Sequence, residues 1–192
     1  MKFFIWIGLI ALPLYACAQQ KSTSLQIGYL GGQITHPGIN LGISQSFFDK
    51  SVTKDNGKTH RHEFRYGVKL GGFYHHNMHT GILLAPEASW LFTKHKGSQI
   101  GFHIASGYLR TFIPKTFTVD EGGNISRSSL TGNNRFIIMP SVRFGKDLSK
   151  KQDLPIAWYI QPTLMWQYGG FNGTTKYFLL EAGITYQLSN NQ

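Results

Sequence analysis

The chain is 192 residues long and carries 19 lysines and arginines against nine acidic residues, a formal net charge of +10. That length suits one domain. After the first 18 residues no apolar run approaches the ~20 residues of a membrane-spanning helix, so any crossing of a bilayer has to be made by strands.

Met1-Lys2, the apolar run from Phe3 to Leu14 and the sequence Ala16-Cys17-Ala18 before Gln19-Gln20 have the form of a secretory signal: basic start, short apolar core, small-x-small cleavage site. Residues 1–18 are predicted to be removed after Ala18, leaving 19–192 as the mature domain. Leu14-Tyr15-Ala16-Cys17 also resembles a lipobox that would acylate Cys17, although Tyr15 is bulky where that pattern has a small residue. Cys17 is the only cysteine, so cleavage after Ala18 leaves a mature protein without disulfides. An exported chain is not a nucleic-acid binder, whatever its charge.

From Leu25 the chain alternates. Leu25, Ile27 and Tyr29 oppose Gln26 and Gly28; after Ile34-Thr35-His36-Pro37, Ile39, Leu41, Ile43 and Phe47 oppose Asn40, Gly42, Ser44 and Ser46. This period of two is that of a pleated strand with one apolar face. A stretch rich in Lys, Asp, Asn and Gly from Asp49 to His60 reads as a loop. Phe64, Tyr66, Val68, Leu70 and Tyr74 then oppose Glu63, Arg65, Gly67, Lys69 and Gly71. Beyond His76-Asn77-Met78 come Ile82, Leu84, Ala88, Trp90 and Phe92, and after Lys96-Gly97 come Ile100, Phe102, Ile104 and Tyr108. An irregular piece from Ile113 to Asn133 contains the turn chemistry of Asp120-Glu121-Gly122-Gly123-Asn124. Phe136 to Phe144, Ile156 to Trp166 and Phe178 to Leu188 complete eight strands. Pro86, Pro140 and Pro162 fall mid-strand on the apolar face, where each removes a ladder bond, and bulges are expected there.

Alternation alone does not say which solvent the apolar face meets. Three features favour lipid. The other face is rich in Gly, Ser, Ala and Thr, which suits a narrow interior; aromatics cluster at both strand ends, as in the girdles of membrane barrels; and the strands are long enough for a tilted crossing. The expected fold is all-β, an eight-stranded antiparallel transmembrane up-and-down β-barrel. The closing strand, FLLEAGITYQL, supports it further, since Glu181-x-Gly183-x-x-Tyr186-x-Leu188 resembles the C-terminal insertion signal of outer-membrane barrels. With the leader and the strand count, the chain looks like a small outer-membrane barrel of a Gram-negative bacterium. Its Ala-Gln-Gln mature start and the runs YLGGQITHPG and SGYLRTF are similar to uncharacterised eight-stranded barrels of Bacteroidota, a resemblance that implies an outer-membrane location but brings no functional residues.

A symmetric turn around Asn77 places Glu87 opposite Gly67, flanked on the inward face by Arg65 and Lys69. Arg143 and Glu181 are further interior charges, bridged through Tyr159 or water, and the set is expected to satisfy itself inside a filled barrel. His36, His75, His76 and His79 gather at adjoining turns, where a loop-borne metal site is geometrically open, though no carboxylate is near in sequence. His103 and Ser106 differ in parity and face opposite sides, so they do not form a His-Ser pair of the kind an outer-leaflet lipid-modifying enzyme uses. Lys50, Lys54, Lys58, Arg61, Lys94, Lys96, Lys146, Lys150 and Lys151 collect at the end that both termini share, expected to be periplasmic. The expected role is structural or interactive. Its partners are outer-membrane lipid and an envelope protein, with no cofactor; a lipid A deacylase-like or acyltransferase-like enzyme and a narrow pore are the alternatives.

Overall fold

The computed structural model describes residues 22–32, 37–55, 57–75, 79–113, 116–120, 122–128, 131–152, 154–169 and 173–188. The expected leader, its expected cleavage site and Cys17 lie outside them. The strands are β1 (Thr23–Gly31), β2 (Gly38–Thr53), β3 (Thr59–His75), β4 (His79–Thr93), β5 (Ser98–Phe112), β6 (Thr116–Val119), β7 (Ile125–Ser128), β8 (Gly132–Asp147), β9 (Ile156–Tyr168) and β10 (Thr175–Leu188). Eight of them close an antiparallel ring in which β10 returns to β1, while β6 and β7 form a separate hairpin between β5 and β8.

Residues of one parity point outward and are apolar: Ile27 is 57% exposed, Ile39 63% and Ile104 55%. Those of the other parity are enclosed, among them Glu63, Lys69, Gln161 and Glu181. Exposed apolar side chains recur on every strand of the ring, far beyond the few hundred Å² of contiguous apolar surface that a water-soluble monomer tolerates. This barrel is therefore turned outward, with hydrocarbon against its apolar wall, and it spans a membrane. Tyr29, Tyr74, Tyr108, Phe136 and Tyr168 stand exposed toward one end of the wall, and Phe64, Phe144, Trp158 and Tyr186 toward the other, where rings are stable at headgroup level.

Three expectations need correction. Asp49 to His60 is not a loop: β2 runs to Thr53 and β3 starts at Thr59, and Arg61 donates to both carboxylate oxygens of Asp49. Both faces of this extension meet water, so its sequence shows no alternation. The irregular piece from Ile113 to Asn133 contains the β6–β7 hairpin, paired from Thr116↔Ser128 to Val119↔Ile125.

The prolines, finally, carry no bulge. Pro86 stays in register with Val68, Pro140 with Ile104 and Pro162 with Leu180. The cost of each missing donor falls on the opposite side. The β4–β5 ladder is interrupted at Ala85 and Pro86, and the β8–β9 ladder at Met139, Pro140, Val142 and Arg143. Among the described residues the register shifts instead at Ser46/Phe48 in β2. With Pro140 and Pro162 both facing the β8–β9 seam, amide exchange there is expected to be faster than along β5–β8, whose ladder is unbroken from Ser98 to Phe112. Hydrogen-exchange mass spectrometry of the protein in lipid nanodiscs checks this, and equal protection of the two seams would refute it.

Candidate functional site

The inward parity fills the barrel in two parts. Toward the end where β1 starts and β10 stops the filling is polar. Arg65 donates to Ser24 Oγ at 2.9 Å and to Glu63 Oε1 at 3.0 Å, and Ser24 meets Ser44 Oγ at 2.9 Å. At mid-barrel the Lys69 ammonium lies 2.9 and 3.1 Å from the two Glu181 oxygens. Asn40 Nδ2 (2.7 Å) and Thr163 Oγ1 (3.0 Å) donate to the same carboxylate. Lys69 also stands 2.9 Å from Glu87 Oε2, an ion-pair contact whose angles miss hydrogen-bond geometry, and Glu87 Oε1 is 3.2 Å from His103 Nδ1.

The register sets Glu87 opposite Gly67, with Arg65 and Lys69 on either side of it along β3; Lys69 meets Glu87 and Glu181, whereas Arg65 turns to Glu63 and Ser24. Arg143 reaches Glu181 indirectly, with Tyr159 as one link. Its guanidinium lies 4.0 Å from the Tyr159 ring centroid, Tyr159 Oη is 3.4 Å from Asn40 Oδ1, and Asn40 holds Glu181. Arg143 further donates to Gln161 and Gln26, both at 2.7 Å, and Gln161 donates to Ser141 at 2.9 Å. Two cations and two carboxylates thus balance at mid-barrel, as burial of charge requires.

Sequence reasoning missed several partners: Asn40, Gln161, Thr163 and His103 join the network. Their inward parity was the available signal. His103 is buried while Ser106 is exposed, so those two do face opposite sides. Ser89 and Ser141 are instead the residues in register with His103. An inward His, a carboxylate and serines therefore converge, yet His103 Nε2 makes no hydrogen bond to a described residue. A working nucleophile–base pair would need that bond, or a route for substrate to reach it.

The other half of the interior is apolar. Leu30, Leu83, Ala85, Ala105, Leu109, Ile137, Met139, Met165 and Leu179 form one buried cluster, with Phe73 against it. Above it opens a recess of about 230 Å³ lined by His75, His79, Gln167 and Tyr177 over Met165, Leu179 and Phe73. His75 and His79 pair across the strand ends with ring centroids 5.4 Å apart, whereas His36 and His76 lie outside the described residues. Among the described residues no group of three His, Cys, Asp or Glu is placed to hold a metal. Beside the recess Arg135 donates to Gln167 Oε1 at 3.0 Å and to Thr175 Oγ1 at 3.1 Å.

On the same end, the β6–β7 hairpin leaves Phe117 and Ile125 61% and 71% exposed. Its turn is locked by Asn124, whose Nδ2 (3.1 Å) and N (2.8 Å) donate to Asp120 and hold that carboxyl below its ordinary range. The lock is complete at neutral pH and is lost as pH falls through the lowered value. Of the lysines and arginines expected at the opposite end, Lys54, Lys58, Lys94 and Lys96 lie in or beside its turns, and Lys50, Arg61 and Lys146 near the strand ends.

No family model matches the chain, and no curated protein matches it in sequence. Among solved structures it is similar to the N-terminal β-barrel domain of Pseudomonas aeruginosa OprF, at 15% identity and a TM-score of 0.37 over 88% of this chain and 98% of that one. It is also similar to the outer-membrane enzyme PagL (10%, 0.41, 87% and 98%) and to Neisserial surface protein A (10%, 0.41, 88% and 94%). At such scores these likenesses carry no argument about what the protein does.

Proposed function

We propose that the protein is an outer-membrane barrel with an interaction role, its interior closed and its outer hairpin and rim serving as the surface that an envelope or extracellular partner meets. The observation that carries this reading is the two-part filling. A network of paired charges fills one half and an apolar plug fills the other, so a solute finds neither a polar path through the barrel nor access to the buried His103 and its neighbour Glu87. The exposed Phe117 and Ile125 are the natural contacts for a partner, since apolar side chains held out in water gain most from being covered. Both termini then face the periplasm, in the usual topology of even-stranded barrels.

A photo-crosslinking residue placed at 117 or 125 in cells is expected to give a discrete protein adduct that the same residue at the lipid-facing position 104 does not. Absence of any adduct at 117 and 125 would remove the interaction reading. Altered lipid A in a deletion strain would turn the assignment toward an enzyme. In planar bilayers the protein is expected to be silent, and replacing Leu83, Leu109 and Ile137 together by serine is expected to produce conductance by wetting the plug. Conductance of the unmodified protein would make it a pore.

A further inference from the structure

At the end where β1 starts and β10 stops, the outer wall of β2, β3 and β4 ceases to sort apolar from polar side chains and sorts charge instead. Residues directly opposite each other in an antiparallel pair share a face. Phe48↔Phe64, Lys50↔His62 and Val52↔His60 continue the outward face of β2 and β3, and the turn in which Lys54 N donates to the Lys58 carbonyl oxygen adds those two lysines. Across β4, His62 faces Phe92, and Lys94 follows Thr93, which is buried on the inward side. The acids take the other parity: Asp49 stands opposite Glu63, and Arg61 pairs with both. Beyond Phe48, Phe64 and Trp90 the outward face therefore carries lysines and histidines and, among the described residues, no carboxylate.

This cationic face is continuous with the wall that meets lipid. Trp90 stacks on Phe102 with centroids 5.8 Å apart, His62 on Trp90 at 5.9 Å, and His60 on Phe92 at 5.5 Å. Such rings mark headgroup level, and Lys50 lies two residues, about 7 Å, past Phe48, in the hydrated layer that holds lipid phosphates. Lysine stems lie along apolar surface and carry their ammonium groups into that layer. Loss of solvation, and then the charges of Lys54, His62, His95 and Lys94, hold the His60 pKa below its ordinary value. These cations thus crowd one another, and an anion among them relieves the crowding. Lys50, Lys54 and Lys94 are exposed and enter no ion pair with a described residue. A face that continues the wall past its girdle of rings is met from the side, by the bilayer, rather than from the water beyond. We propose that it binds the phosphate of an anionic glycerophospholipid between Lys50, Lys54 and Lys94. The outer-membrane orientation proposed above enters only in the choice of the periplasmic leaflet, the one that glycerophospholipids form.

The test is native mass spectrometry of the mature protein, refolded in detergent and mixed with equal amounts of phosphatidylglycerol and phosphatidylethanolamine, which differ in headgroup charge. The unmodified protein should retain phosphatidylglycerol in preference. Lys50→Gln with Lys94→Gln should lower that preference by roughly fivefold for each lysine removed. Arg110→Gln with Lys176→Gln removes the same charge at the opposite end of the barrel and should leave it unchanged. Heat-modifiable gel migration reports folding, and Lys54→Gln alone serves if the double variant does not fold. Equal retention of the two lipids by the unmodified protein would leave the face to an acidic polypeptide and overturn the proposal. An unchanged preference in the Lys50, Lys94 and Lys54 variants, or an equal fall in the Arg110 and Lys176 variant, would overturn it too. Orientation is read separately: Val52→Cys should react with an impermeant maleimide only once the outer membrane is opened. Labelling in intact cells would set the face against the outer leaflet and overturn the choice of lipid, whereas crosslinking at 117 and 125 tests the interaction role alone.

Discussion

Lys69→Met should be the most damaging single substitution in the interior, costing about 3–5 kcal/mol, the usual penalty for removing one partner of a buried ion pair. Lys69 is 2% exposed, and its ammonium is shared between Glu181 and Glu87. Without it two carboxylates remain in an enclosed space with Arg143 as the neighbouring cation, and Arg143 is already committed to Gln161, Gln26 and the Tyr159 ring. Glu181→Gln alone should cost less, because Lys69 keeps Glu87, an amide oxygen in the place of Oε2 still accepts from Asn40, and the NH2 in the place of Oε1 can donate to the Thr163 hydroxyl. Joining the two substitutions should recover part of the loss, since the double variant leaves only the Glu87 carboxylate, with His103 beside it. Urea titrations of the protein refolded into lipid vesicles measure all three. A Lys69→Met variant within about 1 kcal/mol of the parent would show that the carboxylates are hydrated rather than enclosed.

Much of this was legible because a strand assigns side chains to faces by parity alone. Once Phe178 to Leu188 fixed the two faces, the inward charges followed, and the turn around Asn77 was symmetric enough to set Glu87 against Gly67. The plug was not legible, for a definite reason. Where the interior is dry, both faces want apolar side chains and alternation vanishes, as in Ile82-Leu83-Leu84, Ile137-Ile138-Met139 and Phe178-Leu179-Leu180. The inward member of each trio, or the inward pair in the second, belongs to the plug. These trios were the available signal.

The expected proline bulges failed for a related reason. A bulge reverses the parity of everything beyond it, so one at Pro140 would turn Arg143 toward lipid, whereas the missing donor costs a single ladder bond. β2 accepts a bulge at Ser46/Phe48 because beyond it the strand leaves the wall and the β2–β3 extension meets water on both faces.

Gly183→Val should prevent closure of the barrel, and its cause is space rather than backbone conformation. Gly183 and Gly28 face each other across the β10–β1 pairing that joins the last strand to the first. A Cβ on Gly183 would stand 2.3 Å from the Ile27 carbonyl oxygen, 2.6 Å from Gly28 Cα and 2.8 Å from Tyr159 Oη. Two of those three obstacles are backbone, and the third is held by Arg143 stacked on its ring. Overpacking of this kind costs about 1–3 kcal/mol where side chains can give way, and here the ladder itself would have to part. Gly42→Ala is the control, because its Cβ would find its nearest neighbour at an ordinary 3.5 Å and should leave stability unchanged.

Gly183 also belongs to the terminal motif that resembles an insertion signal, so a defect in cells alone would be ambiguous. Refolding the purified variant into vesicles, with no insertion machinery present, separates the two roles: the packing argument requires Gly183→Val to stay heat-unmodifiable there, while Gly42→Ala folds. Normal refolding of Gly183→Val would mean that the tyrosine and the two glycines are not in contact, and the mid-barrel network that hangs on Tyr159 would have to be redrawn.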